Sequence, residues 1–263
     1  MSKTYQPLID YFQKIGARAV IRPAQGNIQG PLSLDIETDE QGEFFAIYKS
    51  RWLDLEVLDY QTKSRHLLLS VGSVPWNIER FLCGHDEFHW FITGLPSPLM
   101  THTVAQAKES LKPHYVKRLQ ERKCRGKCPR KTDHFIRQGE WFFTACKNAS
   151  FDSHNIERDG VLQRNPESKP HQCDYLYREG EREYECDRYP KLAFYESEYR
   201  EILATRRKAN RWGWRLLPDR TTLYAKGWVR HVDHTPIYLD CWHRVDQNRE
   251  QTRLSIANVR YID

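Results

Sequence analysis

The chain has 263 residues, 39% hydrophobic and 13% aromatic, with a formal net charge of +6. That is enough apolar material for a sizeable core, and it excludes a wholly disordered chain. The longest apolar runs, "HLLLSV" and "HWFITGL", fall far short of a bilayer span, and no basic start leads into an apolar leader; a soluble, cytoplasmic protein with no membrane partner is expected.

The opening "TYQPLIDYFQKIGA" sets Leu8, Ile9, Tyr11, Phe12 and Ile15 at helical spacing, with Gly16 as its stop. The pattern then changes to short β-branched and aromatic runs. "LSLDIE", "EFFAIYK", "LDLEVLDY", "RHLLLSV", "RFLCG" and "FHWFITG" are separated by turn-like stretches, which predicts antiparallel strands. A second helix is expected over "THTVAQAKESLKPHYVKRLQERK", with Val104, Ala107 and Leu111 on one face and Pro113 kinking or splitting it.

That helix runs into a cationic connector. Between residues 112 and 131 the cations Lys112, Lys117, Arg118, Arg122, Lys123, Arg125, Lys127, Arg130 and Lys131 face the single acid Glu121, so the rest of the chain is slightly acidic. Beyond the connector, "HFIRQGEWFFTAC" reads as strand and "HQCDYLYREGEREYECDRY" as a hairpin with an acidic tip. "YESEYREILATRRKANRWGWR" reads as a third helix. "TTLYAKGWVRHVD", "PIYLDCWHRVD" and "TRLSIANVRYID" read as a closing three-stranded meander. The expected fold is α+β, with two mainly antiparallel, strand-rich halves and about three helices. Its parts are an N-terminal domain over residues 1–120, the basic connector over 121–133 and a C-terminal domain over 134–263.

Seven cysteines, odd in number and irregularly spaced, argue for reduced thiols. A structural zinc on Cys124 and Cys128 would have to recruit His134 or Cys146, because no second cysteine pair follows. The order Cys124, Cys128, Asp133, His134, Asn148 only loosely follows a His-metal finger nuclease. The stretch "CGHDEFHWF" holds Cys83, His85, Asp86, Glu87 and His89. Its histidines have the separation of a zinc protease helix, but Asp86 stands where that motif needs glutamate, and the flanking aromatics suit a hairpin turn better. A metal, zinc by ligand type, would draw on Cys83, His85 and His89 together with His231 or His234.

The C-terminal hairpin offers a candidate catalytic trio. A two-residue turn at His234 and Thr235 would place His231 opposite Tyr238 and put Trp228, Val232, Ile237, Leu239, Cys241 and Val245 on the core face. The other face would then carry His231, Tyr238 and Asp240, an imidazole with a phenol and an orienting carboxylate. His243 falls on the apolar face as a hydrogen-bonded core histidine. In "RQGEWFF", Gly139 implies a bulge or close backbone approach, with Arg137 and Glu140 beside it.

The connector and Arg206, Arg207, Lys208 and Arg211, interleaved with Trp212 and Trp214, form a candidate nucleic-acid surface that neutralises phosphates and stacks on unpaired bases. No phosphate loop, dinucleotide fingerprint, nucleophile elbow or kinase motif is present. Three functions follow as expectations: a protein that binds or processes single-stranded nucleic acid or RNA, a metal-dependent hydrolase or nuclease, and an interaction domain for an acidic protein partner.

Overall fold

The structure is a computed structural model that describes residues 5–23, 32–73, 77–96, 101–123, 134–165, 168–180, 183–217, 221–251 and 257–259. It is an α+β fold rich in strand, and among the described residues no helix is long and apolar enough to cross a membrane.

The first part is built on two four-stranded sheets and a helix. Helix α1 (Gln6–Lys14) opens with Pro7 in its first turn, where a missing N–H costs nothing, and ends at Gly16 with φ of +80°. Strands β1 (Ala19–Pro23), β2 (Leu32–Asp39) and β3 (Gly42–Lys49) form one sheet; β1 pairs parallel with β3, and β2 pairs antiparallel with it. Strands β4 (Asp54–Gln61), β5 (His66–Ser73), β6 (Asn77–His85) and β7 (Trp90–Gly94) form the second as an antiparallel meander. Phe12, Leu34, Phe45, Leu67, Leu69 and Phe81 share the core between them. The run "HLLLSV" is continuously apolar because its sheet is covered on both faces. Leu67 and Leu69 face that core, while Leu68 and Leu82 pack under Val104, Ala107 and Leu111 of helix α2 (Val104–Leu111).

Pro113 splits the predicted second helix, so α2 is followed by α3 (His114–Lys123), and with α4 (Glu196–Thr205) the described residues hold four helices, not three. Helix α2 starts at a capping box: Gln106 N donates to Thr103 Oγ1 at 3.2 Å, and Thr103 N donates to Gln106 Oε1 at 3.1 Å.

A six-stranded sheet follows, in the order β10 (Ile156–Leu162), β11 (His171–Glu179), β15 (Thr222–His231), β16 (His234–Gln247), β9 (Trp141–Ala145) and β8 (Ile136–Gln138). It coils strongly. The β8–β9 hairpin pairs with the far end of β16, Trp141 against Gln247, yet Gln138 Nε2 donates to Thr235 O at 2.7 Å near the beginning of that strand. Register shifts between β11 and β15 and between β15 and β16 supply the bend. Trp141, Phe143, Leu176, Val229, Leu239 and Val245 fill the concave side.

Three sequence expectations need correction. "HQCDYLYREGEREYECDRY" is not one hairpin: β11 pairs with β10 and β15, whereas β12 (Glu183–Cys186) pairs with β13 (Tyr189–Tyr195) and β14 (Arg215–Leu216) in a small separate sheet. The closing meander has two strands, because β17 (Ala257–Val259) leaves it and pairs parallel with β2. The predicted third helix is also shorter, since Arg206 turns to extended backbone and a single 3-10 turn, Ala209–Arg211, follows.

Candidate functional site

Strands β11, β15 and β16 are neighbours, and each carries a histidine at the same end. His171 opens β11, one residue beyond the Gln172–Arg230 pair; His231 closes β15; His234 opens β16 directly opposite His231. Adjacent strands lie roughly 4.8 Å apart. The imidazoles therefore stack across the sheet, with ring centroids 4.1 Å apart for His171 and His231 and 4.8 Å apart for His231 and His234.

All three rings are buried, at 0%, 8% and 8% exposure for His171, His231 and His234. One nitrogen from each falls within 4.8 Å of the others. Zinc–imidazole bonds of about 2.0–2.1 Å place tetrahedral ligands roughly 3.4 Å apart, so the set closes on an ion with side-chain shifts of about an ångström. Neither ring nitrogen of His171 has a hydrogen-bond partner among the described residues. Burying such a group unmatched is costly, on the order of 1–3 kcal/mol. Burial, then the neighbouring His231 and His234, push the His171 pKa down to about 3, which keeps it neutral as a metal ligand must be.

Gly139 explains how the rings are reached. It stands in the two-residue β8–β9 turn with φ of +55°, and a Cβ there would lie 2.8 Å from His234 Nε2 and 3.4 Å from His171 Nε2. The space that a side chain would take is the space on which two imidazole nitrogens converge.

His234 and Gly139 also line a pocket of about 430 Å³, whose opposite walls come from His66, Lys108 and the tip of the β6–β7 hairpin. That tip is a turn. Asp86 Oδ1 accepts from Phe88 N at 3.2 Å and from His89 N at 3.1 Å, an Asx-type closure. It docks on the C-terminal hairpin: Glu87 Oε2 accepts from Thr235 N at 2.6 Å, and Asp86 Oδ2 lies 3.9 Å from His234 Nδ1. At that separation Asp86 acts on His234 through its charge and not through a hydrogen bond.

The expected ligand set is regrouped. His234 belongs to the buried cluster, but Cys83, His85 and His89 do not join it. Cys83 packs in the first core, where burial pushes its thiol pKa up; His85 stands edge-on to Trp90; His89 Nδ1 meets Glu43 Oε1 at 2.6 Å. The trio of His231, Tyr238 and Asp240 is not brought together either. The turn falls at Val232 and Asp233, two residues earlier than expected, and Trp228 stands opposite Tyr238. His231 faces inward, while Tyr238 and Asp240 are exposed. Bulges near Gly227 and Arg230 shift the register, which sends Trp228 and Val232 outward as well. His243 is buried, with Nδ1 2.8 Å from Cys241 O, and groups loosely with Asp240 and Cys241.

Of the expected nucleic-acid residues, Lys117 and Arg118 lie on α3, whose backbone ends with Arg122 and Lys123. Cys124, Arg125, Lys127, Cys128, Arg130, Lys131 and Asp133 lie outside the described residues. Arg206, Arg207, Lys208 and Arg211 are exposed beside the small sheet, where Trp212 and Trp214 are half-buried. Trp214 donates its indole N–H to Ala209 O at 2.7 Å, and Arg188 and Arg206 lie over the Trp212 ring at 4.8 and 5.9 Å.

Sequence reasoning missed His171. Its signal was a histidine opening a strand, "HQCDY", whose partner strand lies beyond the whole small sheet. No family model, curated protein or solved structure matches the chain.

Proposed function

We propose that this protein is a metal-dependent hydrolase, with the metal held by His171, His231 and His234 and the reaction taking place in the adjoining pocket. The observation that carries the reading is the buried three-histidine set sharing His234 and Gly139 with the pocket wall. His171, His231 and His234 would hold the ion, which would supply an activated water near neutral pH. Glu140, 3% exposed and also in the pocket wall, is the carboxylate assigned to take the proton. The test is elemental analysis beside ester turnover. About one zinc or similar ion per chain, lost in His171→Ala together with turnover, supports the reading. Wild-type protein that binds no zinc at micromolar concentration overturns it.

A second reading is favoured by a separate observation. Arg206, Arg207, Lys208 and Arg211 are exposed and make no ion pair among the described residues, next to the half-buried Trp212. Single-stranded nucleic acid would be held there by phosphate neutralisation, with binding that weakens steeply as salt rises. Reversing the charge of Arg206, Arg207 and Arg211 should lower affinity and flatten the salt dependence; unchanged binding removes this reading. An acidic protein partner would meet the same cations.

A further inference from the structure

The six-stranded sheet buries one face and shows the other. In β15 the alternation turns Ala225 and Val229 into the core, so Lys226, Trp228 and Arg230 point outward. One half of that outer face is closed by aromatic rings of the chain itself. Phe151 stacks on Tyr177 at 4.0 Å and stands against Tyr224 and Trp242 at 4.7 and 5.2 Å. The half toward the histidine end is open.

Two cross-strand rows make up the open half. In the first, Tyr175 on β11 pairs with Arg158 on β10 and with Lys226 on β15. In the second, Trp228 pairs with Tyr238 on β16, their ring centroids 5.2 Å apart, and the Arg230 guanidinium lies 5.8 Å from the Trp228 ring. Tyr175, Trp228 and Tyr238 are 40%, 42% and 58% exposed. A solvated sheet face is ordinarily polar, so three such rings side by side mark a surface that meets something flat and apolar. The acids near it are Asp174, which meets Arg230 at 2.6 Å and accepts from Trp228 N at 2.8 Å, Asp240 beside the Cys241 thiol, and Asp159 in the edge strand. Arg158 and Lys226 form no ion pair among the described residues.

We infer that this face binds single-stranded nucleic acid, with unpaired bases stacked on Trp228, Tyr238 and Tyr175 and the sugar-phosphate backbone running along Arg158 and Lys226. The pairing of two chemistries carries the choice. Every base offers a π-face to an exposed ring, and the cations on either side of Tyr175 stand where the phosphates flanking a stacked base would run. A duplex hides the faces of its bases, and an acidic protein segment leaves the rings unused. Contact with two phosphates gives a shallow salt dependence, a slope of about −1.4 in log K against log salt for a single strand.

The surface is independent of the hydrolase site and is not the arginine cluster at residues 206–211, so each can fail without the other. The test is fluorescence anisotropy on the full-length protein with a labelled oligo(dT) strand of about 12 nucleotides, with unfolding midpoints recorded for every variant. Saturable binding is expected, and Trp228→Ala and Tyr238→Ala should each weaken it by about 5- to 150-fold. Trp228→Phe and Tyr238→Phe, which keep a ring, should retain most of it, and Lys226→Gln should lower the salt slope by about 0.7. Unchanged affinity in both alanine variants overturns the face, as does a duplex that binds as tightly or polyglutamate that competes as well as the strand. If charge reversal at Arg206, Arg207 and Arg211 abolishes binding while both alanine variants bind as wild type, the arginine cluster stands and the sheet face falls. The opposite pattern supports the face and removes the cluster, and absence of any binding overturns both. A dimer in sedimentation that becomes a monomer in Trp228→Ala would show the rings covered by a second copy, which also overturns the face.

Discussion

The two ends of the β11–β15 strand pair are filled by opposite means. At one end three imidazoles are packed together out of water, and His171 has no hydrogen-bond partner among the described residues for either nitrogen. At the other end the chain leaves β11, builds the small sheet with α4, and returns into β15. There the large polar aromatics are matched locally. Trp214 is hydrogen-bonded to Ala209 O and stands edge-on to Phe194 and Tyr199, Tyr184 stacks on Tyr199 at 4.2 Å, and Arg215 bridges Glu185 and Asp187. The second arrangement stabilises itself. The first costs stability as it stands, which is the pattern of a site held ready for something that binds.

The largest expected effect tests that contrast directly. An ion that binds the folded state alone adds about 4 kcal/mol at a thousandfold excess over its dissociation constant. Zinc should therefore raise the unfolding midpoint of the wild type markedly and leave His171→Ala unmoved, as read by calorimetry. A similar rise in both proteins would place the metal elsewhere. Next comes Trp214→Ala, which removes an indole held by four neighbouring groups and should cost about 3 kcal/mol, the low end for a buried aromatic. The loss should stay local, seen as proteolytic cleavage around α4 with zinc content intact. Lost zinc would show that the two ends are coupled.

A smaller effect has the opposite sign. His171→Phe keeps a flat ring in the same space while deleting two unmatched polar atoms, so the metal-free protein should gain about 1–3 kcal/mol and lose its zinc affinity. A destabilised variant in urea titration would mean that the imidazole is matched after all, and the contrast between the two ends would collapse.

The uneven legibility of the sequence has the same origin. Elements held by near neighbours could be read: α1 from its apolar spacing, β2 to β7 from alternation and turn residues, and the close backbone approach at Gly139 from a glycine inside a strand pattern. What depended on distant pairing could not. His171 meets His231 only because β11 pairs with β15 across the inserted small sheet, and nothing in the local pattern of "HQCDY" announces that partner. The C-terminal hairpin was misregistered because its turn falls two residues early and two irregularities insert extra residues into β16 opposite β15, and with period-two alternation a small displacement reverses a face.

The smallest expected effect is on acid stability, and it too distinguishes the two ends. His66 lines the pocket, donates its Nδ1 proton to Ser64 O, and stands edge-on to Phe91. Burial first, then the charges of Lys108 and Arg137, hold its pKa down at about 4, below the value of about 6.5 of an unfolded histidine. Between those values the unfolded chain takes up a proton that the folded protein refuses, so stability is full above about pH 6.5 and falls as the pH drops toward about 4. The slope from one such group has a ceiling of about 1.4 kcal/mol per pH unit, and partial exposure of the ring to solvent reduces it. His66→Phe should make this limb shallower, leaving the part that comes from His171, whose pKa is held lower still at about 3. The small sheet and α4, residues 183–217, contain no histidine, so hydrogen exchange between pH 6.5 and 4 should accelerate around β5 and the pocket first. Earlier opening at α4 would move the acid-sensitive element to the aromatic end, and with it the conclusion that burial against the grain of solvation is confined to the histidine end.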